Sequence, residues 1–119
     1  MKLSRYPETL AVVRLGPGTE VPDWAESSSV FAIIATATET TLVCAARSVP
    51  TKSQHVRPFT AFQADIGVQA PAGARTVSTF ESDWILVPGA DVEAAEEEWR
   101  RAGHEVVIAV PAKPGKKKK

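Results

Sequence analysis

Few residues in this chain are of a type and spacing that could do chemistry. Glu81 and Asp83 are two carboxylates separated by one residue. On an extended strand that spacing puts both side chains on one face, the arrangement a general acid and base would need. No nucleophile, metal-ligand spacing or Gly-rich phosphate loop accompanies them, and such pairs are usually solvated surface, so the sequence predicts no catalytic residue. Cys44 lies within an apolar, β-prone run, where a thiol behaves as a small buried hydrophobe. His55 and His104 each lack a partner at metal-ligand spacing, which predicts structural or exposed histidines and no metal. Gly16-Pro17-Gly18 has neither the G-x-G-x-x-G continuation nor the helix that a dinucleotide loop requires, and reads as a turn. The expectation is a protein without catalysis and without a cofactor.

The elements that must hold these residues are mostly strands. Residues 10–15 form a short β-branched run that stops at Gly16-Pro17-Gly18. Val21-Pro22-Asp23-Trp24 could open a single helical turn, with the Trp24 ring tucked under a sheet. Residues 29–36 and 40–46 are two apolar runs separated by Ala37-Thr38-Glu39, which predicts an antiparallel hairpin. A polar loop containing Pro50 leads to a strand over 58–62. Residues 63–76, punctuated by Gly67, Pro71 and Gly73, read as irregular, and strands over 76–80 and 83–87 follow, joined tightly through Glu81-Ser82.

One helix is predicted over 91–102. Val92, Ala95, Trp99 and Ala102 recur at helical spacing, Asp91 can cap the start, acids come early and bases late, and Gly103 supplies the stop. A last strand over 104–110 precedes Pro111, Pro114 and the lysines. Strands dominate, with one strong helix on a mostly antiparallel sheet, so the fold class is α+β.

Composition narrows the setting. At 119 residues, with 44% hydrophobic and 24% charged residues, the chain is of ordinary globular character. A single cysteine excludes an internal disulfide and fits a reducing compartment. No apolar run is long enough to span a bilayer, and no signal-type block follows the start, so cytoplasmic localisation without a membrane partner is expected. The fourteen basic and fourteen acidic residues balance only because Lys113 and Lys116 to Lys119 lie at the very end. The remaining body is net acidic and repels phosphate backbones, so no nucleic-acid partner is expected.

Three blocks, in order, resemble the small bacterial ACT-domain proteins related to the CASTOR type of amino-acid sensor. The first is Val12-Val13-Arg14-Leu15 through Val21-Pro22-Asp23-Trp24-Ala25. The second is Glu39-Thr40-Thr41-Leu42-Val43-Cys44 with Val49-Pro50. The third and most specific runs from Val77 to Val87 and is followed by the helix ending Ala102-Gly103-His104-Glu105-Val106. The similarity covers most of residues 10–108. It implies ferredoxin-like ACT units, two half-units sharing a core: residues 1–57 as an N-terminal half, 58–112 as a shortened C-terminal half, and 113–119 as a basic disordered tail. Only residues 63–76 fill the interval where the family usually carries a loop and a full helix.

The same resemblance implies a non-catalytic regulatory domain that binds an amino acid or similar small polar ligand at an inter-unit interface, as a homodimer. Thr79, Phe80, Ser82 and Asp83 match the family's ligand-contacting segment. A carboxylate can hold an ammonium, hydroxyls can orient a polar ligand, and a ring can exclude water. The plainer alternative is that Ser82 and Asp83 form a hairpin turn while Phe80 and Trp84 belong to the core. An interaction or oligomerisation module that has lost ligand binding is the other functional expectation.

Overall fold

The computed structural model describes residues 2–27 and 30–109. The expected basic tail at 113–119 lies outside these residues. The fold is α+β and ferredoxin-like, with seven strands, mostly antiparallel, and one α-helix among the described residues. In chain order they are β1 (Lys2–Leu15), β2 (Ala32–Ala35), β3 (Thr40–Ala45), β4 (His55–Ala64), β5 (Arg75–Ser78), β6 (Asp83–Pro88), α1 (Val92–Arg101) and β7 (Glu105–Ile108).

The chain divides into two units, and both β1 and β4 contribute residues to each. One unit is Glu8–Pro58; the other joins residues 2–7 to 59–109. The first seven residues, expected in the N-terminal half, therefore group with the C-terminal unit. The sequence reading started β1 at Leu10 because residues 2–8 are polar and contain Pro7. They are nonetheless strand, because Lys2, Leu3, Ser4 and Arg5 pair in parallel with Glu105, Val106, Val107 and Ile108 of β7. The core the half-units were expected to share is divided into two clusters of buried side chains, one in each unit.

In Glu8–Pro58 the strand order is β2-β3-β1-β4. Leu10 to Leu15 pair antiparallel with Ala45 to Thr40, and alternation sends Ala11, Val13, Leu42 and Cys44 into a cluster with Ala46 and Val49. Trp24 packs against this cluster, but from a turn and not from a helix: the Ala25 N–H reaches only back to the Pro22 carbonyl at 3.1 Å, and the chain does not continue helically. Arg47 ties the unit's polar rim together, donating to Glu8 at 3.1 Å and Glu26 at 2.8 Å. Cys44 is buried, and burial raises its thiol pKa above the usual value, as expected of a structural cysteine.

The other unit has the order β7-β1-β4-β6-β5 with α1 on one face. Leu3, Phe62, Ala64, Ile85 and Val87 point at the helix, which presents Val92, Ala95 and Trp99 at helical spacing. Trp99 and Phe62 meet edge to face at 4.9 Å between ring centroids. Glu96 is buried on the same helix, where it accepts hydrogen bonds from Arg5 at 2.8 Å and Arg100 at 3.1 Å.

Asp91 does not cap α1 with its side chain. A 3₁₀ turn over Gly89–Asp91 leads directly into the helix and the Val92 N–H already bonds the Gly89 carbonyl, so the first free donor is met by backbone. The C-terminus behaves as the sequence predicts. Gly103 takes φ +97°, the Gly103 N–H reaches the Arg100 carbonyl at 3.0 Å, and the His104 N–H reaches the Trp99 carbonyl at 2.9 Å. This is the paired bonding of a Schellman stop.

Candidate functional site

Thr79, Phe80, Ser82 and Asp83 lie together on the β5–β6 hairpin, whose register pairs Ser78 with Asp83. The turn is closed by Thr79. Its backbone N–H donates to the Ser82 carbonyl at 2.7 Å, its hydroxyl donates to the same oxygen at 3.1 Å, and the Ser82 N–H donates back to the hydroxyl at 3.2 Å. Thr36 closes the β2–β3 hairpin on Glu39 in the same way. The Ser82 hydroxyl accepts from Gln63 Nε2 at 3.1 Å, and the Gln63 Oε1 accepts from the Tyr6 hydroxyl at 3.0 Å.

Asp83 is occupied by the chain itself. One carboxylate oxygen accepts from the Ser78 hydroxyl and the other from the Gly67 N–H at 3.0 Å. These two bonds, the Ser78 one first, hold its carboxyl below the usual pKa range. Glu81 sits in the turn, before β6 begins, so the two carboxylates do not share a strand face as their spacing suggested. Phe80 belongs to no core: it is 96% exposed at the tip of the turn. Trp84 is half-buried and packs on Tyr6 at 5.2 Å between ring centroids.

A concavity occurs elsewhere in the same unit. A groove of about 750 Å³ runs between residues 69–72 and α1. Pro71, Ala94, Ala95 and Trp99 give it apolar walls, while Asp91, Glu98, Arg101 and His104 supply polar groups. Trp99, only 4% exposed, holds the two sides together, since its indole N–H donates to the Gln69 carbonyl at 2.9 Å. His104 Nδ1 is buried and has no hydrogen-bond partner among the described residues. That nitrogen is fixed by the helix stop, because the bond from His104 N–H to the Trp99 carbonyl sets where the ring leaves the backbone.

Asp83 acts on this groove at a distance of a few residues. Its bond to Gly67 pins the turn in which the Val68 N–H reaches the Asp65 carbonyl at 3.4 Å, and that turn delivers Gln69 to Trp99. Gln69 has no sequence signal of its own, Pro71 reads only as punctuation of an irregular segment and His104 only as a structural or exposed histidine, because residues 63–76 lack periodicity and His104 directly follows a helix stop. The usable signal was Trp99, whose indole N–H requires an acceptor when buried. His55, by contrast, satisfies its Nδ1 locally on the Ser53 carbonyl at 2.8 Å. Among the described residues no group of His, Cys, Asp and Glu could hold a metal ion, and no helix is long and apolar enough to cross a membrane.

Residues 8–52 match a family model described as an N-terminal domain, a segment lying within the Glu8–Pro58 unit and covering less than half of the chain. No curated protein matches. Among solved structures, the chain resembles the X-ray crystal structure of protein Atu0741 from Agrobacterium tumefaciens. The identity is 23% over 92% of this chain and 93% of that one, with a TM-score of 0.77. At that identity the likeness establishes the shared fold, which both chains carry over nearly their whole lengths.

Proposed function

We propose that this chain is a non-catalytic, ACT-like regulatory domain that binds an amino acid or a similar small polar ligand. The observation that carries the reading is the groove beside α1, whose lining includes His104, a residue with a buried Nδ1 that has no hydrogen-bond partner among the described residues. Its volume of about 750 Å³ falls in the range of small-molecule sites, which combine apolar walls with a few fixed polar groups. Asp91, Glu98 and Arg101 line the same groove; Arg101 already pairs with Glu98 at 3.9 Å and Glu97 at 4.0 Å, exposed pairs that a zwitterion would have to exchange for its own charged ends. Asp83 then works as a positioning residue through Gly67, and Thr79 and Ser82 fix the hairpin from which it projects.

The experiment is a thermal-shift screen of the full chain against the common amino acids, since a ligand that binds only the folded state raises the melting temperature. At least one should raise it, and His104→Ala should abolish that shift. No shift with any of them would refute the ligand reading. The interaction-module reading would then stand.

A further inference from the structure

Among the described residues β2 ends the strand order of its unit, pairing with β3 on one side only. Natural sheet edges are normally protected by charges, proline or bulges, because their free N–H and C=O groups template pairing with another chain. This edge has none of these. No charged residue and no proline lies between Glu26 and Glu39, and Phe31, Ile33 and Ile34 are 46%, 44% and 45% exposed.

The hydrogen-bond phase of the strand can be read from its hairpin. The Thr36 N–H bonds inward to the Glu39 carbonyl at 2.8 Å, and the register continues Ala35↔Thr40, Ile34↔Thr41, Ile33↔Leu42 and Ala32↔Val43. In an antiparallel ladder, inward-bonding residues alternate with residues whose N–H and C=O point the other way. Thr36, Ile34 and Ala32 bond toward β3, so Ile33 and Ala35 direct their backbone groups out of the free edge, and the same alternation carried one residue before β2 would turn Phe31 outward as well.

We propose that this edge pairs with the same edge of a second copy, antiparallel about a two-fold axis at Ile33. The centre at Ile33 is part of the proposal: it opposes Ile33 to Ile33 and Phe31 to Ala35 in both directions, which keeps outward-bonding residues facing one another. Each opposed pair then exchanges both backbone bonds. The side chains fit the same axis. Phe31 meets Ala35 on one face, Ile34 meets Ala32 on the other, and large lies opposite small at every position flanking the central isoleucines. A two-fold contact requires one patch to complement itself, and the order Phe-Ala-Ile-Ile-Ala does so without bringing like charges together. This inference is independent of the groove and of any ligand.

The test is analytical ultracentrifugation of the full chain over a range of concentrations, with amide exchange followed in parallel. The unaltered chain should dimerise, and exchange at Phe31, Ile33 and Ala35 should slow as concentration rises. Ile33→Lys and Ile33→Glu should each weaken association by about a hundredfold or more, because like charges would meet at the axis. Mixing the two variants should restore a dimer. A chain that stays monomeric at every concentration, a dimer that both variants leave intact, or exchange at these amides that ignores concentration would each overturn the proposal. The exchange measurement needs no variant to fold.

Discussion

Trp99→Phe is the perturbation that most directly tests how the fold builds the groove. Phenylalanine keeps a ring against Phe62 but removes the indole N–H that holds Gln69 and the atoms beyond one six-membered ring, at a site only 4% exposed. The lost hydrogen bond contributes about 1 kcal/mol, because the Gln69 carbonyl lies in an exposed residue and can be rehydrated. The small cavity adds about 1–2 kcal/mol, giving a total of about 2–3 kcal/mol. For a chain of this length that corresponds to a fall in melting temperature of about 10 °C. Urea unfolding gives the total, and amide exchange locates it: exchange should quicken at Val68 and Ala70 before the rest of the unit. A stability loss below about 0.5 kcal/mol, or exchange that quickens uniformly, would refute the argument that Trp99 joins the two sides of the groove.

Two further perturbations probe polar groups in the same unit. Glu96→Gln should cost about 1–2 kcal/mol in urea unfolding, since it weakens two charge-assisted bonds made from a carboxylate only 11% exposed. The figure is held down because Arg5 and Arg100, 37% and 57% exposed, recover solvation, and a chain as stable as the unaltered one would show that the triad contributes nothing. Asp83 has its folded pKa lowered, first by Ser78 and then by Gly67, so its stabilising contribution is full above the unfolded carboxylate value and is lost as pH falls through the folded one. The Gly67 amide resonance should therefore move in acid before global unfolding, and Asp83→Asn should abolish that movement; an acid transition at Gly67 unchanged in Asp83→Asn would assign it to another group.

Most of the fold was legible because its signals were local. The apolar, β-prone runs at 40–46 and 83–87, the helical spacing of Val92, Ala95 and Trp99, and Gly103 as a stop each follow from a few neighbouring residues, and the structure has β3, β6, α1 and the helix stop at those places. What escaped depended on partners distant in sequence. The sequence predicts a first strand only from residue 10, yet Leu3 is fully buried in β1 and pairs with Val106 of β7, far along the chain. Asp91 had the right chemistry for a cap, and only the 3₁₀ turn before it shows why the helix does without one.

The candidate site divides along the same line. The hydroxyls and carboxylate of 78–83 were legible as a cluster, but their types could not reveal that they bond to one another. A serine hydroxyl and a glycine N–H each take one oxygen of the Asp83 carboxylate, and both come from within the unit. Once Asp83 is spent on Gly67, the residue that sequence likeness assigns to ligand contact becomes the strut of the turn that carries Gln69 to Trp99. Asp83→Ala should therefore disturb the groove without opening a cavity, and a ligand that binds there should lose affinity although Asp83 itself does not line the groove.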